Sequence, residues 1–151
     1  MGYAVGSVLA IAVFLFARWL KLDRDRAFYP TVLMVVGSYY VLFASMAGSR
    51  RALIIESAVM IVFIAAAAFG FKFSIWITVA GLVGHGVFDF FHSHLVTNPG
   101  VPDFWPAFCM AYDVCAGACL AGLVISMRGA PQEGGDSGRG GSNHASAISP
   151  H

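Results

Sequence analysis

Gly84-His85-Gly86-Val87-Phe88-Asp89-Phe90-Phe91-His92-Ser93-His94 closes an otherwise apolar segment of the chain. His85, Asp89 and His92 fall at i, i+4 and i+7, which puts them on one helical face. Two imidazoles and a carboxylate are costly in a lipid-buried helix, so they call for a partner or a chemical role. On the same helix Thr78 and Gly81 extend a small or polar stripe, whereas Val83, Val87, Phe90 and Phe91 point toward lipid.

The surrounding composition makes the bilayer the natural solvent. Of 151 residues, 58% are hydrophobic and 11% are charged, against about 25% charged in an ordinary soluble domain. The formal net charge is +1 with no basic run, which argues against nucleic acid as a partner. Cys109, Cys115 and Cys119 share one apolar segment and form no CxxC pair. They read as small packing residues rather than a disulfide framework.

Five apolar segments follow one another, at about 3–20, 30–47, 52–71, 73–91 and 105–127. Each is about 18–22 residues long, enough for a hydrocarbon core of about 30 Å. The first segment lacks a basic leader and reads as a retained span. Pro30 and Pro106 suit helix starts, where a missing N–H costs nothing. Residues 93–104 hold Pro99, Gly100 and Pro102 and predict a loop. From Gly129 onward, Gly, Ser, Asn and Pro dominate, and disorder is expected. The predicted fold is all-α, an integral membrane bundle of five transmembrane helices over 1–128 with a disordered tail over 129–151.

Charge sets the expected orientation. Arg18, Lys21, Arg24, Arg26, Lys72, Arg128 and Arg139 fall on one side, and only Arg50 and Arg51 on the other. The positive-inside rule then puts the amino terminus outside and the carboxyl tail in the cytoplasm of an inner (plasma) membrane. With alternating topology, Glu56, His85, Asp89, His92 and Asp113 converge on one depth, with Tyr39 and Tyr40 at a similar level. At 1.5 Å per residue, Asp113 lies about 12 Å past Trp105. Asp113 shares its helical face with Cys109, Ala116 and Leu120 and needs a proton, a cation or a hydrogen-bonding partner at that depth. An active centre requires the imidazole of His85 and the carboxylate of Asp113 to meet.

Three functional readings compete. In the first, His85, Asp89 and His92 bind a divalent metal such as zinc, Asp113 serves as ligand or base, and Glu56 and Tyr39 orient groups. The protein would then be a metal-dependent membrane hydrolase, or use acid–base chemistry, on a lipid-like substrate. In the second, a His/Asp/Glu chain relays protons in a proton-coupled transporter of ions or small molecules. In the third, the polar groups only tie helices together in a non-catalytic assembly protein. Interhelical hydrogen bonds in membranes average about 0.6 kcal/mol, and five ionisable groups exceed what that task needs. Taken alone, Glu56 reads as a snorkelling or Arg51-paired residue, and His94, Asn98 and Asp103 as solvated loop residues. Membrane lipids are the expected partners, and small residues such as Gly81, Gly84, Gly117 and Gly122 suit close helix approach or a homo-oligomer.

The segments Phe28-Tyr29-Pro30, Gly37-Ser38-Tyr39-Tyr40-Val41-Leu42-Phe43-Ala44, His85-Gly86-Val87-Phe88-Asp89, Asn98-Pro99-Gly100-Val101-Pro102 and Tyr112-Asp113-Val114 carry a further likeness. In them the chain resembles a family of small, uncharacterised bacterial multi-pass membrane proteins. The resemblance covers roughly residues 5–127 and implies a bacterial inner membrane and a compact helical bundle. It brings no activity, cofactor or residue role.

Overall fold

A computed structural model describes residues 1–129 of the chain. The tail at 130–151, for which the sequence predicts disorder, lies outside the described residues. Five helices account for nearly all of the rest: α1 (Gly2–Leu20), α2 (Phe28–Met46), α3 (Arg50–Lys72), α4 (Ile75–Leu95) and α5 (Trp105–Gly129). All five are long and apolar enough to cross a membrane. Large apolar side chains such as Val8, Phe16, Ile61, Val62, Phe69 and Phe90 stand exposed around the bundle. In water this surface would drive aggregation; against lipid it is solvated. These are the attributes of a multi-pass membrane protein.

The connections are short and chemically specified. α1 ends on Lys21 in the left-handed region (φ 60°), whose N–H reaches the carbonyls of Ala17 and Arg18. A 3-10 turn at Leu22–Arg24 follows, clipped by an ion pair of 3.0 Å between Arg18 and Asp23. The Asp25 carboxylate then accepts the Ala27 N–H and leads into α2. Pro30 is the third residue of α2 rather than the first. It still lies in the opening turn, where backbone N–H groups have no intrahelical acceptor. Gly48 takes the positive φ of the α2–α3 turn, and the Ser49 hydroxyl accepts the Ala52 N–H to cap α3.

α4 extends four residues beyond the predicted boundary, to Leu95. Ser93, His94 and Leu95 do not break a helix. The constraint comes later, where Pro99 disfavours helical backbone at Asn98. The connecting loop therefore occupies 96–104 instead of 93–104.

Helix packing follows the order α1, α5, α4, α3, α2, with α2 also touching α4. α4 is thus the central element. Glycines set several of these approaches. A Cβ on Gly6 of α1 would strike the Phe108 carbonyl of α5, and one on Gly70 of α3 would strike Thr78 of α4. Gly117 of α5 sits where a Cβ would come within 2.9 Å of Val83. By contrast Gly84 and Gly122 have no atom within 4 Å of an added Cβ.

The interior has two unlike halves. At the end where α2 and α4 begin and α3 and α5 finish, the core is apolar and built from Leu33, Val36, Ala67, Val79, Leu82, Leu120 and their neighbours. At the opposite end it holds Glu56, His85, Asp89, His92, Asn98 and Asp113, all buried.

Gly6→Val forces a branched side chain against the α5 backbone and is expected to destabilise the bundle by about 1–3 kcal/mol. Gly84→Val, facing open space, should leave thermal unfolding in detergent unchanged, and a comparison of the two melting curves tests the assignment.

Candidate functional site

The polar half is assembled by backbone proximity before any side chain is considered. Gly86 lies one residue beyond His85 on α4. A Cβ there would come 3.0 Å from Val114 Cγ2 and 3.1 Å from the Met110 carbonyl of α5. With no Cβ, α4 and α5 close on each other and bring Asp113 to His85. The His85 Nδ1 and Asp113 Oδ2 atoms share a hydrogen bond of 2.6 Å. Asp89, one turn along α4, places its Oδ2 3.4 Å from the same imidazole nitrogen. His85, Asp89 and Asp113 are all fully enclosed, and one ligand atom from each lies within 4.8 Å of the others.

A second pair forms nearer the end of the bundle. His92 Nε2 donates to Glu56 Oε1 at 2.8 Å. Asn98, from the α4–α5 loop, donates through Nδ2 to the same carboxylate oxygen at 3.1 Å and to the Tyr40 carbonyl at 3.0 Å. Its own Oδ1 accepts the Gly100 N–H. Gly100 packs so closely on the Phe43 carbonyl of α2 that any Cβ would collide with it. The loop is therefore pressed into the bundle end and carries Asn98 inward. The Tyr40 ring stacks on His92, with centroids 3.9 Å apart and planes 12° apart, and tilts toward His85 at 6.3 Å. One aromatic plate thus adjoins both imidazoles.

The grouping differs from the one read along α4. His85 and Asp89 stay together, but His92 turns to Glu56 of α3 and Asp113 of α5 takes the third place. Helical register puts the three α4 residues on one face, yet the neighbours of that face change along its length. Glu56 does not pair with Arg51 or reach solvent; it is 1% exposed and bound from two sides. Tyr39 stands apart from both pairs, half-buried with its ring edge-on to Trp105, and the adjacent Tyr40 enters the polar core. Asn98 is the residue that sequence reasoning missed. A polar residue in an Asn-Pro-Gly loop looks solvated, and only the seating of Gly100 on Phe43 turns it inward. His94 and Asp103 are exposed, as expected of loop solvation. The faces read from the sequence recur: Val83, Val87, Phe90 and Phe91 are exposed, and Cys109, Ala116 and Leu120 are buried beside Asp113.

The electrostatic balance is incomplete. Three buried carboxylates face two imidazoles, and among the described residues no Lys or Arg pairs with them. Both oxygens of Asp89, Oδ1 of Asp113 and Oε2 of Glu56 lack a hydrogen-bond partner. Such atoms in a low-dielectric interior demand a proton, a cation or a bound ligand.

One cavity borders this region, and a second lies along the neighbouring face of the bundle. The first, of about 440 Å³, lies beneath the loop and is lined by Asp89, His92, Asn98, Asp103, Pro106 and Met110 among others. The other is a groove of about 550 Å³ between α1, α2 and α5. It is walled by Leu9, Val32, Val35, Trp105 and Phe108, with Tyr39, Cys109 and Tyr112 beside them. No protein-family model, curated protein or solved structure matches the chain.

The pairing predicts a pattern of coupling. In double-mutant cycles, Glu56→Ala with His92→Ala should show an interaction energy of about 0.5–3 kcal/mol in reversible unfolding, and Glu56→Ala with Asp113→Ala should be close to additive. Asn98→Ala, which strips one donor from Glu56 and one from the Tyr40 carbonyl, should cost about 1–3 kcal/mol.

Proposed function

We propose that the protein is a metal-dependent membrane enzyme acting on a lipid-like substrate, with His85, Asp89 and Asp113 holding one divalent cation. The observation that carries this reading is that one ligand atom each of His85, Asp89 and Asp113 lies within 4.8 Å of the others, with oxygens of both carboxylates left without a hydrogen-bond donor. A divalent ion would satisfy them at once and offset the excess of carboxylates over imidazoles. One nitrogen with carboxylate oxygens suits a borderline ion such as Zn²⁺, Mn²⁺ or Fe²⁺. Three protein ligands leave coordination positions open, as catalytic rather than structural sites do.

The ion would act as a Lewis acid on an ester carbonyl or phosphoryl oxygen, or on water. His92 borders the cavity beneath the loop together with Asp89. In this reading it is the general base, and Glu56 and Asn98 fix its ring as positioning residues. The apolar groove between α1, α2 and α5 offers room for an aliphatic chain. Its Cys109 lies on the same face of α5 as Asp113, one turn away, so a chain lodged there would end close to the centre. The same reading takes the amino terminus to be outside and the centre to lie beneath the outer surface of a bacterial inner membrane, an orientation supported by the excess of Lys and Arg at the opposite end.

A second reading is favoured by one feature. Tyr40 links two imidazole–carboxylate pairs that succeed each other along α4 toward the loop. Such a row can pass protons without metal, as a proton-coupled carrier requires.

Metal analysis separates the readings. Full-length protein purified with zinc, manganese and iron present should retain about one divalent ion per chain, and Asp89→Asn or Asp113→Asn should lower occupancy by about 10–100-fold. Glu56→Gln should keep the ion but suppress conversion of a total membrane lipid extract, followed by mass spectrometry. Metal-free protein that acidifies liposomes would favour the carrier. Variants that change thermal stability alone would leave the cluster structural.

A further inference from the structure

We infer that the end of the bundle opposite the His/Asp centre carries a binding site for one anionic phospholipid. The cavity there measures about 690 Å³ and is framed by the α1–α2 connection, the start of α4 and the end of α5. Its composition is divided in the way a phospholipid is. Ile75, Leu123, Val124 and Met127 form an apolar wall, and Arg24, Arg26 and Arg128 lie at its rim. Arg128 sits over the Trp76 ring with its guanidinium carbon 5.9 Å from the centroid, which holds the charge at the cavity edge.

Two acidic residues also line the cavity. Asp23 is neutralised by Arg18 at 3.0 Å, and Asp25 accepts the Ala27 N–H. Three arginines against one carboxylate without a cationic partner leave the rim net positive. An independent observation points to a ligand. Tyr29 lines the cavity and is 5% exposed, and its buried hydroxyl has no hydrogen-bond partner. The guanidinium groups would bind the phosphodiester charge, and a small rotation of the Tyr29 ring would let its hydroxyl donate to a phosphate oxygen. The acyl chain would run along the α5 wall, continuous with the surrounding bilayer. A zwitterionic lipid brings a cation that meets the same arginines unfavourably, so the site should discriminate by headgroup charge.

The test uses full-length protein, delipidated in detergent and read by native mass spectrometry. Added phosphatidylglycerol should bind with a stoichiometry of one and be preferred over phosphatidylcholine by about tenfold or more. The double variant Arg24→Gln/Arg128→Gln should reduce phosphatidylglycerol occupancy by about tenfold, and Tyr29→Phe by about threefold. Lys21→Gln removes a charge from the same end but from outside the cavity, and it should leave the preference intact. Equal binding of both lipids, or an equal loss in Lys21→Gln, would overturn the site in favour of general surface attraction. Displacement by soluble glycerol 3-phosphate at comparable concentration would overturn the lipid as occupant. The exposed arginine variants should melt like the parent, so lost binding reports on the site and not on folding. Metal content at the opposite end should not change in any of them.

Discussion

A carboxylate placed in hydrocarbon has few tolerable states: it binds a proton, a cation or a donor, or the helix that carries it does not stay there. Glu56, Asp89 and Asp113 impose that condition three times at one end of this bundle. Much of the local backbone can be read as the answer. Gly86 lets α4 and α5 approach until His85 meets Asp113. Gly100 lets the α4–α5 loop sink onto α2 until Asn98 meets Glu56. A Cβ on Gly100 would collide with the Phe43 carbonyl and push Asn98 outward, and one on Gly86 would crowd Val114 and the Met110 carbonyl.

The division of the interior into two halves gives the polar centre a rigid frame. In a membrane the hydrophobic effect does not drive helices together, because lipid is as apolar as leucine, so cohesion comes from close packing and interhelical hydrogen bonds. The apolar half supplies the packing through Leu33, Leu82 and Leu120, with Gly70 fitted against Thr78. The polar half then holds buried groups that remain only partly satisfied. Oxygens of Asp89 and Asp113 have no protein donor there. Incomplete satisfaction held by a firm scaffold is also the state that a binding centre needs before its ligand arrives.

The two ends of the bundle also meet the bilayer differently. One presents a compact loop pressed over buried acids and imidazoles. The other presents arginines around an amphipathic hollow. The apolar groove between α1, α2 and α5 reaches the α1–α2 connection and shares Asp25 with that hollow, so the two ends are joined along one side of the bundle.

Hydropathy alone determined that there are five helices, because the length of an apolar run and the thickness of a bilayer fix each other. Helical period alone determined which residues of α4 and α5 face inward, and alternating direction put the ionisable groups at one depth. Tertiary structure decided the partnerships. Residues on one face of α4 meet α5 at His85 and α3 at His92, because helices cross at an angle and a face does not keep one neighbour along its length. It also decided between Tyr39 and Tyr40, adjacent in sequence but about 100° apart around the helix, and it turned Asn98 from a solvated loop residue into a buried donor. Those outcomes depend on how closely backbones approach across the bundle, a distance set by glycines and their opposing surfaces together, which no single segment of sequence contains.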